Sequence, residues 1–233
     1  QFLPPLSPGH WLGTGNNGVD VLSGVVRGAR LSLSVGLGTV ALSALVGAPL
    51  GALSGWLGGW VDEALMRATD VVLSLPGLLL AILLTSVLGP GLGNVVVALS
   101  LTGWTAYARV VRAQVRTLKE REFVQAARAL GAPPGWIVRR HLWPHVAGPM
   151  LVQMTFGLPG AILAEASLSF LGLGAPPGTA SWGAMADEGC QFLLRAPHLA
   201  LVPGVALLVT VAGFNALGEG LRARLDVKGS GSE

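Results

Sequence analysis

Few side chains in this sequence could carry out a reaction. The four histidines, His10, His141, His145 and His198, are scattered, and the single cysteine, Cys190, has no partner for an internal disulfide. No His/Cys/Glu grouping has metal-ligand spacing, and there is no phosphate-cradling glycine loop, nucleophile elbow or zinc motif. Two features do carry chemistry, and neither is catalytic. The first is Glu165, in the apolar run Ala161-Ile-Leu-Ala-Glu165-Ala-Ser-Leu-Ser-Phe170. A carboxylate in hydrocarbon is costly enough to count as a functional candidate by default. Counted from Val146 it lies 19 residues along the run, about 28 Å at 1.5 Å per residue, which places it at the far boundary of a bilayer where it can reach water. It therefore either contributes to an outer mouth, with Ser169, Trp182 and Asn215 as companions, or fixes helix ends through a hydrogen bond or salt bridge. The second feature is a basic block, Arg109, Arg112, Arg116, Lys119, Arg121, Arg128, Arg139 and Arg140.

The elements that must position these residues follow from composition. The chain has 233 residues, 52% hydrophobic and only 12% charged, with a mean hydropathy of +0.63. Soluble domains carry about a quarter charged residues, so the balance indicates residence in a lipid bilayer. The charges gather in short blocks between long apolar runs. Five of these runs reach the roughly 20 residues a spanning helix needs: about 30–55, 69–89, 91–111, 147–173 and 198–218. The segment 1–28 is polar and rich in Gly and Pro, so it reads as an extracytoplasmic stretch, and a sixth span is expected upstream of it. A permease domain is expected over 29–226 and a flexible tail over 227–233.

Orientation follows from the distribution of lysine and arginine around the spans. The block 109–140 and the C-terminal Arg222, Arg224 and Lys228 face the cytoplasm on this rule. The stretches Gly89–Asn94 and Ala175–Pro197, which hold no basic residue and only Arg195 respectively, face outward, and Gly55–Arg67 falls inside as a loop. The pI near 9.8 is on this reading a topology signal, and no nucleic-acid partner is expected.

Within the spans, Gly47, Gly51 and Gly55 recur every four residues and stack on one helix face, where a neighbouring backbone can approach closely. Pro49, Pro76, Pro159 and Pro203 sit inside expected spans and should bend them, either as hinges or as kinks fixed by packing. Trp56, Trp60, Trp104 and Tyr107 fall near span ends, as an interfacial aromatic belt requires. Between Thr117 and Pro149 the membrane pattern stops. Two short helices are expected there, Lys119–Leu130 and Trp136–Leu142, separated by Gly131-Ala-Pro-Pro-Gly135, with Gly131 suited to a helix end and Pro133 and Pro134 preventing continuation. On the first of them Phe123, Ala126, Ala127 and Leu130 share the apolar face at i, i+3, i+4 and i+7. One face of this knob can pack on the bundle while the other meets a partner.

The run Glu122-Phe-Val-Gln125-Ala126-Ala127-Arg-Ala-Leu-Gly131, with His141-Leu-Trp-Pro144 beginning ten residues after Gly131, resembles the EAA loop of bacterial ABC importer permeases. Gln125 stands where the motif has Glu, and His141 and Trp143 replace aliphatic positions. The first two changes are those of the oligopeptide and dipeptide branch, and the C-type subunit of that branch is what the chain is similar to. The resemblance continues through Leu12-Gly-Thr14 to Asp20-Val-Leu-Ser, Gly58–Asp70, Leu168–Gly174, Ser181-Trp182-Gly183 and Phe214–Arg222. Gly15, Val19 and Val227 depart from the branch pattern, where Asp, Arg and Pro are usual.

The resemblance implies an all-α membrane protein with the type I permease bundle, five of six spans within this sequence, and a cytoplasmic coupling loop at about 117–146. By resemblance that loop supplies a coupling helix seated in a groove on an ATPase subunit, with Glu122, Gln125, Ala126, Ala127, Gly131, Ala132, Trp136, Arg140 and Pro144 as the contact set. The implied partners are a second permease subunit, two ATP-binding cassette subunits that hold ATP and Mg, and an extracytoplasmic solute-binding protein. The chain itself would bind no cofactor and catalyse nothing. It would sit in the bacterial cytoplasmic membrane and move di- or oligopeptides, or, as the alternative, nickel, a metal chelate or another small solute. A self-sufficient secondary transporter would need ionisable relays at mid-membrane, for which Glu165 is the one candidate.

Overall fold

A computed structural model describes residues 2–176 and 178–230, with backbone alone at 17 and 226–230. Nine α-helices form among the described residues: α1 Val21–Leu57, α2 Gly59–Ser74, α3 Gly77–Leu88, α4 Leu92–Lys119, α5 Glu122–Ala129, α6 Pro134–Ile137, α7 Trp143–Phe170, α8 Trp182–Gln191 and α9 His198–Ser230. A π-helical turn, Val138–Leu142, joins α6 to α7. No strand occurs among the described residues; two isolated backbone bridges, Ser7 with His10 and Thr14 with Asp20, tie down the N-terminal segment.

Three helical stretches are long and apolar enough to cross a membrane, Val21–Leu57, Pro134–Phe170 and His198–Leu225, and the bent pair α2 and α3 makes a fourth if taken as one span. The expected span at 91–111 forms as the first part of α4, which has the length but takes on Arg109, Arg112, Arg116 and Lys119 toward its end. The expected span at 69–89 does not run straight. It breaks at Leu75-Pro76-Gly77 with an 85° bend, because proline disfavours helical φ/ψ in the residue before it and has no amide to donate, and Leu75 is extended at φ −97°, ψ 139°. Pro49 and Pro203, by contrast, lie within continuous helices.

Helix α1 starts about nine residues before the expected span. Asp20 begins it, with Oδ2 accepting from Ser23 N at 2.9 Å, the bond that an acidic N-cap makes to an otherwise orphaned amide. Gly24, Arg27, Gly28 and Arg30 dilute the apolar signal in this first stretch, which is why hydropathy alone misses it. The expected inner loop at Gly55–Arg67 is also mostly helix. Only Gly58, at φ +68°, lies outside helix, and α2 begins directly after it at Gly59, which is at φ +55°. Helix α9 continues through Ser230, and residues 231–233 of the expected tail lie outside the described residues.

The chain forms two compact units. One comprises the chain up to Thr39, Leu78–Leu99 and Leu158–Asn215; the other comprises Val40–Gly77, Ser100–Gly157 and the chain from Ala216 on. In the second unit the glycine face of α1 meets α4 as the spacing predicts. A Cβ on Gly47 would overlap the Trp104 carbonyl and Ala108, one on Gly51 would overlap the Ala108 backbone, and one on Gly55 would come within 2.8 Å of the Arg112 carbonyl. The two backbones touch along three turns. Helix α2 is tied to α4 by charge: Asp62 accepts from Arg112 Nε and, at 2.6 Å, from Nη2, and from Ser54 Oγ. Arg116 lies 3.6 Å from the same carboxylate, and Arg109 pairs with Asp70 at 2.7 Å. Asp62 is only 13% exposed and its Arg112 partner 25%, so this pair contributes more than an open surface pair does. The open Arg67–Glu63 pair at 3.8 Å contributes under about 1 kcal/mol.

In the first unit Val35, Ala81, Val95, Leu99 and Leu168 form a buried apolar cluster. A second cluster, Val21, Ala196 and Leu199, lies under the N-terminal segment with Phe2, Leu12 and Phe192 packed on it. The expected aromatic belt divides: Trp60 is 80% exposed, as an interfacial residue would be, while Tyr107 is buried. The α1–α4 contact is testable. Gly51→Leu places a side chain where the Ala108 backbone lies, so detergent-solubilised protein should lose at least about 2 kcal/mol of stability, read as a lowered thermal midpoint, whereas Gly135→Ala, in open space, should leave it nearly unchanged.

Candidate functional site

The later part of the basic block, from Arg121 to Arg140, folds into a compact knob between α4 and α7, all within the second unit. Helix α5 ends in a Schellman motif: Gly131, at φ +80°, donates to the Arg128 carbonyl at 2.9 Å, and Ala132 N donates to the Ala127 carbonyl at 3.1 Å. The left-handed backbone at Gly131 is what glycine supplies at little cost. Pro133 then caps α6, with Pro134 at its first position, where no amide is needed. The second expected helix does not end at Leu142. It passes through the π-helical turn into α7, so the knob is continuous with the second of the three long helical stretches, Pro134–Phe170.

The face that α5 buries differs from the one its apolar spacing suggested. Val124 and Ala127, at 0% and 8% exposure, join Ala48, Val111, Val115, Ile137, Leu142 and Val146 in one core. Phe123, Ala126 and Leu130 lie on the outside, Leu130 at 88% exposure. An eight-residue helix with apolar residues on most sides leaves the choice to its neighbours, and the small Ala127 with the β-branched Val124 fits the narrow floor between α4 and α7. Of the expected contact set, Glu122, Gln125, Ala126, Gly131, Arg140 and Pro144 are exposed, Trp136 is half exposed, Ala132 is part-buried against the core, and Ala127 is in it.

The exposed side of the knob is aromatic and aliphatic. Phe123 stacks on His145 with ring centres 5.5 Å apart, and Trp136 meets His141 edge-on at 5.0 Å. His145 Nδ1 donates to the His141 carbonyl at 2.9 Å, which orients its ring. Gln125 Nε2 donates to the Glu120 carbonyl at 3.2 Å, closing the turn between α4 and α5. An ionised Glu at this position could not make that bond, since a carboxylate only accepts.

The second candidate group lies in the first unit. Glu165 does not reach water there. It is fully buried, and its two oxygens accept from Ser32 and Ser169 hydroxyls, each at 2.7 Å. Ser169 Oγ in turn accepts from Ala175 N at 3.2 Å. Of the two sequence readings, the geometry matches the one in which Glu165 ties helices together, α1 to α7. Trp182 is also buried, with Nε1 donating to the Val25 carbonyl at 3.0 Å, and it packs beneath Gly28. Asn215 is exposed on α9, and no described hydrogen bond joins it to this group. One further feature is not visible in residue spacing. His10 Nδ1 donates to Asp20 Oδ1 at 3.0 Å and so holds the N-terminal segment against the start of α1.

Long apolar helices that carry a helical knob with an uncovered apolar face are the frame of a membrane-embedded helical protein. Residues 47–228 match the model of the family described as the binding-protein-dependent transport system inner membrane component, and the chain belongs to that family. It is 44% identical over 229 residues to the dipeptide transport system permease protein DppC of Bacillus subtilis, covering 98% of this chain and 71% of that one. It is 42% identical to the oligopeptide transport system permease protein OppC of the same organism (96% and 73%), and 40% identical to the glutathione transport system permease protein GsiD of Pectobacterium atrosepticum (95% and 74%). Among solved structures it is similar to the inward-facing MetNI methionine ABC transporter, with a TM-score of 0.68 over 87% of this chain and 96% of that one at 21% identity, which supports the fold. The protein is thus an inner-membrane permease component and is not itself catalytic.

Two outcomes follow. The hydrogen bond from His10, with the Ser23 amide next in weight, holds the Asp20 carboxyl below its usual range. A depressed carboxyl stabilises the fold above the ordinary value of about 4 and loses that contribution as pH falls through the lower folded value. Thermal midpoints of wild type and Asp20→Asn should therefore differ at neutral pH and converge as pH drops below about 4. Glu165→Ala should strand the Ser32 hydroxyl and leave a cavity, lowering stability by about 1–3 kcal/mol in the same assay, with Glu165→Gln closer to wild type because one acceptor oxygen remains.

Proposed function

We propose that this chain is one of two permease subunits of an ATP-driven importer for small peptides, and that its α5–α6 knob is where a cytoplasmic ATPase subunit grips it. The observation that carries this reading is the knob's uncovered apolar face. Phe123, Leu130 and Trp136 are 38%, 88% and 50% exposed on an element whose inner side is packed to 0–8%. A solvated basic connector has no need of such a face, whereas a helix seated in a partner's groove does. Arg121, Arg128, Arg139 and Arg140 are exposed around the same knob, and they suit a rim that steers an acidic partner. In this reading Glu122, Gln125, Ala126, Gly131, Trp136, Arg140 and Pro144 contact the ATPase, while Ala127 and Ala132 hold the knob's shape. ATP and Mg are bound and hydrolysed in the partner.

The cargo reading rests on the relatives, whose names specify dipeptides, oligopeptides and glutathione; all three are peptides or short peptide conjugates. A sister permease completes the pathway, since one set of five or six helices encloses too little space for a peptide, and an extracytoplasmic solute-binding protein delivers the cargo.

The test is reconstitution of the chain with its sister permease, ATPase subunits and binding protein in proteoliposomes. Di- to pentapeptides should stimulate ATP hydrolysis in the presence of the binding protein; stimulation by nickel or a metal chelate with none by peptides would replace the cargo assignment. Ala126→Glu and Leu130→Asp change exposed residues, so they should leave the thermal midpoint of the chain within about 0.5 kcal/mol while weakening capture of the ATPase subunit at least about tenfold, or 1.4 kcal/mol.

A further inference from the structure

The knob has a thin attachment. Helix α5 is eight residues long, and its buried side chains are Val124 and Ala127. At 100° per residue, positions three apart lie about 60° from each other on one side of a helix, so these two contacts hold α5 along its inner side. On one flank Phe123 ties the helix to α7 by stacking on His145, with ring centres 5.5 Å apart. Arg128 lies about 140° around the helix from Phe123, on the other flank. Its guanidinium carbon lies 4.2 Å from the ring centre of Trp56.

Trp56 is in the last turn of α1 and packs against the knob's core. The sequence offers an ordinary reading for it, an interfacial anchor like Trp60 one turn on. The structure separates the two. Trp60 is 80% exposed, whereas Trp56 is part-buried with a cation on its face. Gly55, beside it, brings α1 against the Arg112 carbonyl and Val115 of α4, so the indole is fixed on a rigid surface. An arginine stacked on such a ring gains both electrostatic attraction and planar contact.

We propose that Arg128 and Trp56 are positioning residues for coupling: with Phe123 holding one flank of α5 to α7, their contact holds the other flank to α1, so that a displacement of the knob reaches the inner end of α1 and is not absorbed as rotation of α5. This rests on the reading above, in which the knob is the part an ATPase subunit moves.

The experiment measures cargo moved per ATP hydrolysed in the reconstituted complex for Arg128→Gln, Arg128→Lys, Trp56→Leu and Trp56→Phe. Arg128→Gln and Trp56→Leu should lower the ratio about fivefold, the scale of one partly exposed cation–π contact. Arg128→Lys, which keeps the cation, and Trp56→Phe, which keeps an aromatic face, should recover most of it. A wild-type ratio in Arg128→Gln overturns the inference, as does an equal loss in Arg128→Gln and Arg128→Lys. Should Trp56→Leu fail to assemble, the arginine pair decides alone, because Arg128 is exposed and outside the core. A separate arm, cross-linking Leu130→Cys to the ATPase subunit in a Cys190→Ser background, distinguishes the two failures. No cross-link sinks the proposed function itself, while a normal cross-link with unchanged coupling in the variants sinks the latch only.

Discussion

The inner part of this protein depends on how closely α1 and α4 approach. Gly47, Gly51 and Gly55 let the α4 backbone at Trp104, Ala108 and Arg112 come within contact distance. In a bilayer there is no hydrophobic gain from bringing two apolar helices together, and close backbone packing is what holds them. The approach also sets the position of everything attached to α4. It brings Arg112 to the Asp62 carboxylate and Val111 and Val115 under the knob, and it holds Trp56 at the end of α1 where Arg128 can reach it.

A second constraint is the cost of charge away from water, which the two units meet differently. Asp62 is surrounded by arginines and a hydroxyl, a charged solution suited to a helix end that still borders solvent. Glu165 is surrounded by hydroxyls from Ser32 and Ser169 with no cation among its described partners. Each carboxyl is satisfied, as buried polar groups must be, and each ties two helices together. The arginines that the sequence marks as a topology signal therefore have local work as well: Arg109, Arg112 and Arg116 hold α2 to α4.

Much of this was legible in the sequence because certain residues have few conformational options. Gly131 before Pro133-Pro134 announces a helix end, and a Schellman turn stands there. The four-residue glycine spacing announces a contact face, and α4 occupies it. Pro76 announces a disturbance, although the sequence does not show that Leu75 and Gly77 would let it become an 85° break. What was not legible depended on neighbours. Apolar residues occur on several sides of α5, so periodicity alone selected Phe123, Ala126, Ala127 and Leu130, of which only Ala127 enters the floor of the knob, beside Val124. Depth counted along one helix put Glu165 in water, and only the position of Ser32, 133 residues earlier, reveals that it is enclosed. Trp56 and Trp60 look alike in sequence, and their difference comes from Arg128, which folds back from a later helix.

The π-helical turn at Val138–Leu142 has a bearing on which changes this lineage can tolerate. Such a turn accommodates one additional residue without ending the helix, and each residue gained or lost rotates what lies beyond it by about 100°. Substitutions along the segment change its chemistry but preserve the direction in which the knob faces, whereas a single-codon insertion or deletion between Gly131 and Pro144 would swing that face sideways. The length of the segment, more than the identity of most of its residues, thus sets the direction in which the knob faces.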